Sequence, residues 1–245
     1  MSHAVPRSLG SRRGVAAPAL AILAGAVAGL AAPAQAGAAA VPASQPLVVL
    51  LHDHVPRARP SFHARRIEPA IPALRPLTRV RTVLPVLAEA HGNRWLRVRL
   101  PGRPNGHTGW IRSSNTRRTA TGWRLALDLS ERRLTVYRDG RAKRRFPVIV
   151  GNPWTPTPRG RFFVEEAVAL GSQDAGNPFA LATSARSNVL QEFEGGPGQI
   201  ALHGTNLLSG TLGTAASHGC IRLGTAEITW LAHRVGSGVP LHIAG

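Results

Sequence analysis

The stretch Ser217-His218-Gly219-Cys220-Ile221-Arg222 holds the only cysteine in 245 residues. A lone cysteine closes no internal disulfide, so it is a small buried apolar residue, a link to another chain, or a reactive thiol. A thiol that reacts near neutral pH must ionise, which takes a cationic or proton-accepting neighbour and access to a substrate. The flanking residues suit that chemistry. Gly219 lets the main chain turn, or approach a ligand, in ways closed to other residues. His218 and Arg222 place polarisable or cationic groups close by. N–H groups near Gly219 and Cys220 are candidate donors to an oxyanion. The planar guanidinium of Arg222 can hold both oxygens of a carboxylate, although one more surface arginine is its plainer reading.

A cysteine nucleophile also needs a base within hydrogen-bond range, and such bases usually lie elsewhere in the sequence. His203 ends the strand-like run QIALHG, seventeen residues upstream of the cysteine. The Gly/Ser/Thr-rich TNLLSGTLGTAA between them must then fold back as a loop. His233, inside a helical pattern, and His242, in a final strand, read as structural. His52, His54, His63, His91 and His107 belong to an earlier region. Zinc held by Cys220, His203 and His218 is a competing reading, but it lacks the short-spaced ligand pair typical of such sites, so no metal is expected.

The elements that must position these groups are mostly strands. In RWLRVRLP, Leu96, Val98 and Leu100 alternate with Arg97 and Arg99, the period of a half-buried strand. PGRPNG is a turn and HTGWI a returning strand. Before them, PLVVLLHDHVP is an apolar run, followed by a Pro/Arg-rich passage with little regular structure. VRTVLPVLAEA reads as another strand. These short strands and turns resemble a bacterial SH3-like β-barrel over 47–115. RSSNTRRTATG reads as a polar connection. Beyond it, Leu125, Leu127 and Leu129 share one strand face and Leu134 and Val136 the next, with RDG turning into RRFPVIV. RFFVEEAV, QIALHG and VPLHIAG are further strands. EAVALGSQDAGNPFALATSARS reads as a loop that forms part of the groove around the thiol. One helix follows the cysteine, capped at Gly224 or Thr225, with Ile228, Leu231, Ala232 and Val235 on one side and Gly236 and Gly238 as its stop.

The pairing HGTN…SHGCIRL resembles the L,D-transpeptidase family, whose YkuD-type catalytic domain carries a histidine, a spacer and then Ser/Thr-His-Gly-Cys. The resemblance runs over 123–244 and includes the TPTPRG loop and PGQIALHGTN. It implies a mostly β fold with one packed helix. It also implies Cys220 as nucleophile, His203 as general base, and Gly204 orienting the imidazole through its carbonyl. His218 and Arg222 would line the substrate pocket, with Ser217 and Gly219 supporting it. The implied substrates are peptidoglycan stem peptides, donor and acceptor. Cys220 would form a thioester with the third residue of a tetrapeptide stem and release D-alanine, and an amine of a second stem would take the acyl group in a 3→3 cross-link. Water as acceptor would make the protein an L,D-carboxypeptidase, and a protein amine would make it a ligase to the wall. No cofactor is implied, because the thioester conserves the energy of the cleaved amide. Tyr137, the sole tyrosine, matches no motif position. A Cys/His endopeptidase would usually present its cysteine first, at a helix start. A non-catalytic wall binder is the remaining alternative.

Charge and the N-terminus fit that setting. Lys and Arg number 30 against 12 acids, giving +18, and Lys143 is the single lysine. Such a chain is drawn to anionic polymers or head groups. The charge is spread rather than clustered with aromatics, which argues against nucleic acid. Arg7, Arg12 and Arg13, the apolar GVAAPALAILAGAVAGL and the small-x-small Ala34-Gln35-Ala36 read as an export signal over 1–36, with a retained anchor as the alternative. Residues 37–46 have linker composition. The expected location is periplasm, wall or exterior, with no transmembrane span in the mature chain.

Overall fold

Alternation along the chain is what builds the first sheet: Leu96, Val98 and Leu100 are buried while Arg97 stays exposed. The computed structural model describes residues 40–193 and 195–245. The export signal expected over 1–36 lies outside the described residues. Strands β1 (Gln45–Leu50), β2 (Val83–Ala90), β3 (Trp95–Arg99), β4 (Thr108–Arg112) and β5 (Thr116–Thr121) form an antiparallel sheet in the order β4-β3-β2-β1-β5. β5 falls in the stretch expected to be a polar connection. It has no apolar alternation, and pairs with β1 through its main chain along all six of its residues.

The second sheet has eight strands. They are β6 (Trp123–Asp128), β7 (Arg133–Arg138), β8 (Arg141–Pro147), β10 (Gly160–Ala169), β11 (Phe179–Arg186), β12 (Gln199–His203), β14 (Ile221–Arg222) and β15 (Pro240–Ala244). Their order is β14-β12-β11-β10-β15-β6-β7-β8. Two short strands, β9 (Val150–Gly151) and β13 (Ala215–Ser217), pair with each other in parallel. The RDG turn joins β7 to β8, with Asp139 and Gly140 both at positive φ, as a tight hairpin requires. Helix α1 (Thr225–Ala232) is capped by Gly224 and buries Ile228 and Leu231. It stops one turn short of Val235, which still packs in the core.

β11 corrects the loop expected at EAVALGSQDAGNPFALATSARS. Its residues Leu181–Arg186 are all buried between β10 and β12. A strand covered on both faces and built from Ala, Thr and Ser shows neither alternation nor a strong apolar run. That is why its sequence looks like a loop.

Residues 40–245 pack as one unit. Phe163 of β10 is buried in the core of the first sheet with Leu84, Leu96 and Ile111, a contribution of about 1.5–3 kcal/mol for a side chain of that size. The register of β10 shifts between Val164 and Glu166, a bulge at which both Glu165 and Glu166 are buried. Glu165 pairs with Arg75 and, at 3.3 Å, with Arg186. Glu166 accepts hydrogen bonds from Thr78 N and Oγ1 at 3.0 and 2.7 Å. Among the described residues no helix is long and apolar enough to cross a membrane.

Candidate active site

The loop between β13 and β14 presents Cys220, and its shape comes from internal hydrogen bonds. Ser217 Oγ donates to Cys220 O at 2.6 Å and accepts from Gly219 N at 3.1 Å. Ser217 is wholly buried, so its hydroxyl shapes the loop from within. Of the two N–H groups expected to face an oxyanion, that of Gly219 is turned inward to Ser217. Gly219 sits at φ +118, and a Cβ there would press on Ile200 Cδ1 at 3.0 Å. From the TPTPRG loop, Thr157 Oγ1 donates to Gly219 O at 2.8 Å and accepts from Gly151 N at 2.9 Å. Thr157 is a supporting residue that its proline-rich context conceals in the sequence. Cys220 itself is half-buried.

His203 closes β12, which runs parallel to β14 with Leu202 beside Ile221 and His203 beside Arg222. Leu223 N donates to His203 O at 2.9 Å. Residues distant in sequence thus become neighbours through sheet register. His203 Nδ1 lies 2.8 Å from Gly204 O. A carbonyl only accepts, so Nδ1 carries the hydrogen and Nε2 keeps its lone pair. Gly204 has no room for a side chain, since a Cβ there would overlap the carbonyls of Asn177 and Gly176. Gly176, at φ +82, lies so close to the imidazole that its own Cβ would overlap His203 Nδ1. No local signal marks Gly176; the contact is long-range. Burial holds His203 below the usual imidazole range. The hydrogen bond to Gly204 O opposes this, and the Arg222 charge adds to it.

Both residues line one cleft of about 590 Å³, together with His218, Arg222, Gln199 and Phe193. Arg222 is buried; its Nη1 donates to Ser209 O at 2.8 Å, and its Nε has no hydrogen-bond partner among the described residues. His218 is exposed and stacks on Phe193, with ring centroids 5.7 Å apart. The wall that carries Phe193 is held from the first sheet. Arg103, in the turn between β3 and β4, donates to Pro197 O, Ser187 O and Leu190 O at 2.9, 2.8 and 3.1 Å. Asn105 exchanges hydrogen bonds with the Arg186 main chain at 2.7 and 2.8 Å. Among the described residues no group of three His, Cys, Asp or Glu is arranged to hold a metal ion.

The YkuD family, an L,D-transpeptidase catalytic domain, matches residues 122–243, a span that takes in the thiol loop, β12 and α1. The chain carries an L,D-transpeptidase catalytic domain. Over 121 residues it is 31% identical to the L,D-transpeptidase YkuD protein of Bacillus licheniformis and 27% identical to that of Bacillus subtilis. Each match covers 49% of this chain and 65% of the relative, so the chain spans somewhat under two thirds of those relatives. Among solved structures, an L,D-transpeptidase from Mycobacterium smegmatis is 20% identical at TM-score 0.40, over 67% of this chain and 91% of that one. One from Mycobacterium tuberculosis H37Rv is 18% identical at TM-score 0.44, over 66% and 90%.

All seven residues singled out in the sequence fall inside this L,D-transpeptidase domain. Cys220, His203, His218 and Arg222 border its cleft, while Ser217, Gly219 and Gly204 lie behind them. Arg103 and Asn105, which brace the wall, come from outside the matched span.

Proposed function

We propose that this protein is a cysteine-dependent L,D-transpeptidase acting on peptidoglycan stem peptides. The observation that carries the reading is the shared cleft of Cys220 and His203, with the imidazole oriented by Gly204 O so that Nε2 can accept a proton. His203 Nε2 takes the Cys220 proton, and the sulfur attacks the carbonyl of the third stem residue. The oxyanion develops against the main chain of the Ser217–Cys220 loop. Collapse expels the D-alanine amine, which takes the proton from the imidazolium and leaves a thioester. The amine of a second stem then attacks the thioester carbonyl, gives its proton to His203, and frees the sulfur as a 3→3 cross-link forms. Arg222, buried with an unpartnered Nε, is placed to bind a stem carboxylate. Neutral His203, kept so by burial, is the form this cycle requires at its start.

The chain is exported by residues 1–36 and works in the periplasm, the wall or outside the cell. Residues 47–115 serve as an SH3-like wall-facing domain ahead of the catalytic domain at 123–244, and the net charge of +18 favours anionic wall polymers. The test is incubation with a disaccharide-tetrapeptide donor, with and without a second stem, followed by product mass analysis. The expected product is the dimer minus D-alanine, lost in Cys220→Ala and His203→Ala. Dimer formation that survives Cys220→Ala would overturn the proposal.

A further inference from the structure

One face of the eight-stranded sheet is turned to the first sheet, sending Phe163 into its core and Glu165 onto Arg75. At the other end of that face only cations gather. Arg161 of β10 lies opposite His242 of β15, and His242 opposite Ala126 of β6, two residues from Arg124. Strand alternation therefore puts Arg124, Arg161 and His242 on one face. Arg99 of β3 reaches the same place from the first sheet, and the four line a narrow cleft of about 60 Å³ with Gln45 and Pro240. That space is of the size of one small oxyanion.

Among the described residues, no carboxylate lies in ion-pair range of any of these four, whereas Arg75 and Arg186 in the same layer are both paired. Arg124 Nε is shut off from solvent and has no hydrogen-bond partner among the described residues. Arg99 and Arg124 are both held below the usual guanidinium range, first by burial and then by the Arg161 charge. His242 is lowered by burial, then by Arg161 and Arg124. A protein that gathers like charges in a partly desolvated cleft forgoes stability there unless an anion joins them.

We propose that this cleft, remote in sequence from the thiol motif, binds a phosphate-class oxyanion between Arg99, Arg124, Arg161 and His242. A carboxylate is planar and satisfied by one forked guanidinium, whereas donors arriving from four strands in two sheets suit a tetrahedral group. The shared chemistry is a phosphoryl oxyanion, carried by a soluble phosphate ester or by a phospholipid headgroup.

The test is thermal unfolding of the whole protein in phosphate and in chloride of equal ionic strength. It compares wild type, Arg161→Gln and the double variant Arg124→Gln/Arg161→Gln. Arg161 is exposed, so its single replacement disturbs packing least. A ligand that binds only the folded state raises the midpoint by mass action. Phosphate is expected to raise the wild-type Tm by several degrees over chloride, with less than half that rise in the single variant and none in the double. In chloride both variants should melt at or above wild type, because each removes a mutually repelling charge. An equal phosphate rise in wild type and double variant would be a general solvent effect and would overturn the site. Phosphorus NMR titration with glycerol phosphate and co-sedimentation with phosphatidylglycerol vesicles separate the two sources. Binding in either assay that falls about tenfold in the double variant supports the site and names its source. Binding that the double variant retains in full overturns it.

Discussion

Gly176 and Gly204 set the position of His203 without any side chain of their own. A methyl at 176 would occupy the space of His203 Nδ1, at a φ that side chains rarely adopt. Gly176→Ala should therefore lower the rate of Cys220 acylation about 100-fold while the protein still melts cooperatively; an unchanged rate would remove Gly176 from the account. Burial, more than the Arg222 charge, keeps His203 neutral, so the acid limb of kcat/KM should fall below pH ~6.5. Arg222→Gln removes the opposing charge and should move that limb to higher pH, which a pH profile reads independently of any loss in magnitude. The sign for stability follows. Because the folded pKa of His203 is depressed, its contribution is complete above the unfolded imidazole value and is lost as pH falls through the folded one. Cys220, His203 and Gly204 were legible because they sit in one short motif pair. Gly176 and Thr157 were not, because what they do depends on contacts across the fold.

Elements from both sheets build the cleft wall. The segment between β11 and β12 has few apolar residues to anchor it, and three of its carbonyls, those of Ser187, Leu190 and Pro197, accept from Arg103. Arg103→Ala should raise KM for the donor several-fold with a smaller change in kcat, since Phe193 on that wall faces the cleft rather than the reacting atoms. Chymotrypsin should also cut faster at Leu190 or Phe193; unaltered cleavage and KM would show that the wall holds without the clamp. The amphipathic strands and α1 could be read from periodicity. β5 and β11 could not, because β5 is held by main-chain pairing and β11 is buried on both faces with small residues. Their identity as strands is set by their neighbours.

Across the whole molecule, the two sheets share a core residue and a buried charge network. Glu165 meets Arg75 from the first region and Arg186 from β11, while Gln199 on the cleft edge donates to it at 3.3 Å. Glu165→Gln would leave buried Arg186 without its counter-charge and Arg75 with Glu166 alone, at 3.7 Å, and should cost about 3–5 kcal/mol in urea unfolding. One transition covering both sheets is expected, and two separate transitions would show that the regions fold independently. Whether the sulfur of the intact protein is the nucleophile is decided by mass spectrometry after exposure to a carbapenem, whose strained β-lactam amide a thiolate can open. One covalent adduct per folded chain is expected, mapped to Cys220 and absent from Cys220→Ala. Folded protein that stays unmodified, or an adduct on any other residue, would contradict it.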